Sequence, residues 1–133
     1  MTSPDTAQGP FAGRTPSELL RSAGLGAVDV PVEVTHHRRD DDRHVARLAF
    51  VLDEPALDAW LDSSYGPEGG PGRAWVTYTD AAHALGVGEV PNTWLLGREK
   101  PVGVPGERYV LIDDASPATV RIALCEPIRD NQW

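Results

Sequence analysis

The sequence predicts an α+β fold: a mostly antiparallel sheet of about five strands, two hairpins plus one strand, with two or three short helices packed on one face. Three observations lead there. Residues 28 to 36 and 44 to 52 alternate apolar with polar side chains on either side of a short charged stretch. Near the other end, RYVLIDD and ATVRIAL flank the turn-forming ASP. Two further segments carry paired start and stop codes for helices. Because both strongest strand pairs are joined by short turns, a parallel sheet built from crossovers fits poorly.

Residues 1 to 14 hold little apolar content and read as a flexible arm, so a single domain is expected over residues 15 to 133. In TPSELLRSAG, Thr15 is placed to cap, Pro16 suits the first helical position, Glu18 completes a capping box and Gly24 terminates the helix. Val28, Val30, Val32 and Val34 then alternate with polar residues, the period of a half-buried strand, and Ala46, Leu48, Phe50 and Leu52 do the same. An antiparallel register that sets Val34 against Ala46 and Val32 against Leu48 matches every apolar residue with another. It also sets Glu33 against Arg47, an opposite-charge pair across the strands.

DEPALDAWLDSSYG reads as a second helix capped by Asp53 or Glu54, with Leu57, Trp60 and Leu61 on its inner face. GPEGGPG is a loop with no phosphate-cradling glycine pattern. RAWVTY reads as the third strand, TDAAHALG as a short helix closed by Gly86, and residues 87 to 106 as irregular chain anchored by Trp94, Leu95 and Leu96. In the last hairpin Val110 faces Ile122 and Ile112 faces Val120, with Asp113, Asp114, Ser116 and Pro117 in the turn.

The formal charge of −8 argues against a phosphate-neutralising surface, so neither nucleic acid nor anionic membrane is an expected partner. No apolar run is long enough to span a bilayer. Cys125 is the single cysteine, which rules out an intrachain disulfide, and its apolar setting in ALCEP reads as a buried, inert thiol.

The stretch THHRRDDDRH, residues 35 to 44, looks the most chemical. The register above turns it into a hairpin tip with His36 facing His44, two candidate metal ligands for which Asp40, Asp42 or His83 would have to supply a third. Solvated boundary histidines are the plainer reading, and no metal or other cofactor is expected. Asp80, three residues before His83, is the one candidate acid–base pair. Trp94, in a loop punctuated by Pro91 and Asn92, is the first candidate for a ligand pocket or interface, with Trp75 and Tyr78 beside it in the aromatic set.

LLRSAGL, VDVPVEV, VARLAFVLDEPALDAWL, the tryptophan of NTWLL, Gly103 and RYVLIDDASPATVRIAL together resemble a group of small actinobacterial proteins of uncharacterised role, over residues 17 to 124. In that group an exported or lipid-anchored chain carries the domain. The near-exclusive use of arginine over lysine agrees with a high-GC source. The resemblance implies an extracytoplasmic accessory domain and transfers no catalytic residue; the chain departs from the pattern in having no lipid-attachment cysteine near its start.

The function expected from these readings is a non-enzymatic binding or interaction domain, its partner an unidentified protein or small molecule. A small α+β enzyme with an aromatic-lined pocket and the Asp80–His83 pair is the alternative. A cytoplasmic partner in a natural-product or stress system is a second.

Overall fold

A computed structural model of the chain describes residues 11, 13–38, 43–66, 72–73, 85–87, 93–99 and 107–126. Among the described residues, helices α1 (Pro16–Ser22) and α2 (Glu54–Tyr65) accompany six strands: β1 (Glu33–Arg38), β2 (His44–Leu52), β3 (Gly72–Arg73), β4 (Leu95–Glu99), β5 (Glu107–Ile112) and β6 (Ala118–Cys125). The strands form one sheet in the order β1-β2-β6-β5-β4-β3. Every pairing is antiparallel, and five of the strands have five residues or more.

Local chemistry accounts for the helices. Thr15 accepts from the Glu18 amide at 3.1 Å while the Glu18 carboxylate accepts from the Thr15 amide at 2.8 Å, the reciprocal bonds of a capping box. The bond from the Thr15 amide, and after it the Thr15 side chain, hold the Glu18 carboxyl below its ordinary value. Asp53 caps α2 by accepting from the Ala56 amide at 3.0 Å, with Pro55 in the first turn.

The sheet's two faces follow from strand parity. The even-numbered residues Ala46, Leu48, Phe50 and Leu52 of β2 join Val110 and Ile112 of β5 and Val120, Ile122 and Leu124 of β6 in the larger core. Leu19 and Leu20 of α1 and Trp60 of α2 complete it. The Trp60 ring meets Phe50 edge-on at 5.6 Å and donates its indole N–H to the Gly26 carbonyl at 2.9 Å. Arg108, only 6% exposed, runs under this core, donates to the Ala23 carbonyl and lies 5.2 Å from the centre of the Tyr65 ring. It thereby ties the ends of both helices to β5.

The opposite face is also buried over β4, β5 and β6. Val45, Leu85, Leu96, Tyr109, Leu111, Ala123 and Cys125 make a second, smaller core, with Val87 and Trp94 packed against it. Both helices do lie on the first face; the expectation left the other face uncovered, and Leu85, Val87 and Trp94 cover it.

The second hairpin has the register read from the sequence: Val110 faces Ile122 and Ile112 faces Val120. Asp113 organises its turn, accepting from the amides of Ala115 at 3.2 Å and Thr119 at 3.0 Å. The Ser116–Pro117 peptide is cis.

Three expectations are corrected. The first hairpin is displaced by two residues, so Val34 faces Leu48, Thr35 faces Arg47 and Glu33 faces Ala49, and the Glu33–Arg47 pair does not form across the ladder. Its first strand begins at Glu33, five residues later than the alternation suggests; Pro31 has no N–H to give a ladder, although Val28, Val30 and Val32 still pack on the core. Residues 95 to 99, read as irregular chain, form β4 between β3 and β5. Of RAWVTY only Arg73 lies among the described residues, in β3, and of TDAAHALG only Leu85 and Gly86 do. Gly86 takes the left-handed conformation of a helix terminator, φ +71°.

Candidate functional site

The two-residue displacement separates the histidines expected to face each other. His36 stands opposite Ala46, and His44 stands opposite Arg38. Parity keeps both on the helix-bearing face, on a diagonal. The His44 amide donates to the Glu126 carboxylate at 2.7 Å, and the imidazole Nδ1 of His44 is buried without a hydrogen-bond partner. Among the described residues no three His, Cys, Asp or Glu side chains converge as a metal site would require. Asp80, His83, Trp75 and Tyr78 lie outside the described residues, as do Asp40 and Asp42 of the hairpin tip.

Trp94 is half-buried at the edge of the second core. Its indole N–H donates to one oxygen of Asp114 at 3.1 Å, and the Thr93 hydroxyl donates to the other at 3.0 Å. Asp114, in the turn between β5 and β6, therefore fastens the chain that enters β4.

The richest polar arrangement is on the second face, and it was not singled out in the sequence because its members come from four strands. In one row across the sheet His37, Val45, Cys125 and Glu107 are successive partners; in the next, Thr35, Arg47, Ala123 and Tyr109. Glu107 is 8% exposed and its carboxylate accepts from the Tyr109 hydroxyl at 2.7 Å, the kind of bond a buried carboxylate requires. Cys125 is buried as expected, but it has a basic neighbour in space that the sequence hides: Arg47, whose cation it favours.

Arg47 organises the middle of this cluster. A guanidinium can only donate, so its Nη1, 3.3 Å from His37 Nε2, requires that nitrogen to accept, and the Thr35 hydroxyl sits 2.9 Å from the same atom. Burial first, then the Arg47 charge, then His36 hold the His37 imidazole below its ordinary value. Burial likewise lowers Arg47. Gly86 makes room for the guanidinium: a Cβ there would lie 2.5 Å from Arg47 Nη1.

One row further along, Glu33, Ala49, Arg121 and Leu111 are partners. Arg47 opposite Ala123 and Arg121 opposite Ala49 thus form a checkerboard of long and short side chains. Arg121 is half-buried, and its Nη1 is buried with no hydrogen-bond partner. Towards the β1 edge the face opens: Glu33 and Thr35 are exposed and Val51 is 47% exposed.

Fold and cluster together define an α+β domain whose antiparallel sheet is covered by helices on one face and carries a polar, arginine-centred patch on the other. No protein-family model, curated protein or solved structure matches the chain. No helix among the described residues is long and apolar enough to cross a membrane.

Proposed function

We propose that the chain is a non-enzymatic binding domain of an extracytoplasmic accessory protein, and that it meets its partner with the open part of the second sheet face. The observation that supports this is the change of character across that face. Over β4, β5 and β6 it is largely apolar and covered; from Ala49 and Val51 out to Glu33 and Thr35 it is open, with an exposed valine diagonal to Arg121. Arginine is among the residues enriched where proteins recognise partners, and the exposed valine adds apolar area beside it. The neighbouring carboxylate–phenol pair and thiol are buried, and they support the platform from beneath.

The test compares wild type with Val51→Glu, a change at an exposed position that leaves the core untouched. Both are immobilised and exposed to an actinobacterial cell-envelope extract, and the bound proteins are quantified. A partner held by wild type and lost from the folded variant is expected. Identical capture by the two overturns the reading.

A further inference from the structure

We propose that the outer edge of β1 is a self-association surface: two copies of the chain join β1 to β1, antiparallel about a two-fold axis, in the register that sets Glu33 of each against His37 of the other. This goes beyond the partner-binding reading and does not depend on it. β1 is the end strand of the sheet, and among the described residues it has a neighbour, β2, on one side only. The backbone donors and acceptors along its other side are a template for a further strand. β1 is six residues long and contains neither the proline nor the lysine that commonly blunts such an edge.

The register follows from parity. A two-fold axis perpendicular to the sheet keeps the helix-bearing faces of both copies on the same side, so residues that meet across it share a face. In β1, Glu33, Thr35 and His37 lie on the second face, Val34 and His36 on the first. A register centred on Thr35 sets Thr35 against its own copy, Glu33 against His37 and Val34 against His36, the last two contacts each occurring twice. Opposed side chains on one face have Cβ atoms about 4.5–5.5 Å apart, within reach of a carboxylate–imidazole bond. Sliding two residues one way sets His36 against itself and Val34 against Arg38, and leaves Glu33 with no counterpart inside β1. Sliding the other way sets His37 against Pro31, which has no N–H to give a ladder.

The chemistry of the Glu33–His37 contact is prepared within each copy. Because Arg47 Nη1 can only donate, His37 Nε2 accepts, and the neutral ring then carries its proton on Nδ1. That N–H has no acceptor among the described residues, and the exposed Glu33 carboxylate has no donor. Within one chain the two residues are four apart along a strand, roughly 13 Å, too far to meet. Across the axis each supplies what the other lacks, and an ionised acceptor makes the bond stronger than a neutral pair. A contact limited to one short strand per copy belongs to the small class of interfaces, below roughly 1,200 Å² in total, so the dissociation constant is on the order of 100 µM.

Sedimentation equilibrium of the full chain from about 10 µM to about 1 mM should show monomer giving way to dimer around that value. At the upper end, NMR on a mixture of isotope-labelled and unlabelled chain should show contacts between the Thr35 protons of the two copies. Glu33→Arg and His37→Glu each place mismatched or like groups across the axis, and because each contact occurs twice, either should weaken dimerisation about tenfold. Mixed in equal amounts, the two variants restore an opposite-charge contact at one end and the native contact at the other, and should associate with each other as tightly as wild type does with itself. Glu33→Arg, at an exposed position, serves alone if His37→Glu fails to fold. A monomer throughout the range, a dimer that Glu33→Arg leaves unchanged or that lacks the Thr35 contact, or a mixture of folded variants no tighter than either alone overturns the proposal.

Discussion

Replacing Gly26 by alanine tests how closely α2 approaches the segment between α1 and β1. Gly26 donates its amide to Ser64 at 2.9 Å and offers its carbonyl to the Trp60 indole at 2.9 Å, so this short stretch is held to α2 from both sides. A Cβ built on Gly26 falls on the Ser63 hydroxyl, far inside the distance a Cβ tolerates, and reaches Ser63 Cβ and Ser64 Oγ at 3.3 Å. To make room, Ser63 must abandon the bond its hydroxyl donates to the Trp60 carbonyl at 3.0 Å, and the helix must shift away from the bond that anchors Trp60. Overpacking of this kind costs about 1–3 kcal/mol. Ser63→Ala alone removes one part-buried side-chain bond at an exposed helix position and should lie within about 0.5 kcal/mol of wild type. In that background the clashing oxygen is gone, the 3.3 Å contact can relax, and the stiffer unfolded chain returns about 0.4–1 kcal/mol. Gly26→Ala should then be close to neutral, a coupling of at least about 1 kcal/mol between the two sites. Urea unfolding of the four proteins measures it. Additivity within about 0.5 kcal/mol, or a Gly26→Ala protein as stable as wild type, would refute the close approach.

Three further outcomes are expected. Gly86→Ala puts a side chain at φ +71° and against the Arg47 guanidinium, and should cost about 1–2 kcal/mol in urea while shifting the Arg47 Nε signal. Asp114→Ala releases both Trp94 and Thr93; a loss of about 0.5–1.5 kcal/mol and a displaced Trp94 indole N–H resonance should accompany it, with the other indoles unmoved. His37 titrates below its ordinary value of 6.5 in the folded chain, so the unfolded chain takes up its proton first and stability falls as pH drops through 6.5 towards the lowered value. Melting temperatures of wild type and His37→Gln, compared from neutral pH downward, should diverge in that window, the variant losing less.

How much of this was legible in the sequence depends on what each pattern can specify. The second hairpin was readable to the residue because Asp113 and Pro117 fix where its turn lies. The first was misplaced by two residues because alternation repeats every second position: facing Val34 with Ala46 or with Leu48 satisfies apolar matching equally, and only the turn between the strands decides. The strand at residues 95 to 99 was hidden by its own composition, two leucines followed by glycine and charges, which matches no strand period. The second core did leave a trace: YVLI in β5 and IALC in β6 are apolar at every position, the pattern of strands buried on both sides. The arginine patch left none. Arg47 and Arg121 are far apart along the chain, and each looks like an ordinary solvent-facing residue until β2 and β6 are set side by side.

That pairing has a consequence for how the molecule comes into being. The strand that occupies the middle of the sheet, β6, is the last of the described elements to be synthesised. Until it arrives, the β1–β2 pair and the β4–β5 pair have no edge in common, and each of β2 and β5 presents an unsatisfied rim of backbone donors and acceptors. A growing chain on the ribosome thus holds two halves waiting for a keystone. Completion is a late, long-range closure, and premature termination before residue 118 would leave two sticky ribbons, prone to pair with neighbours and to be cleared by proteases.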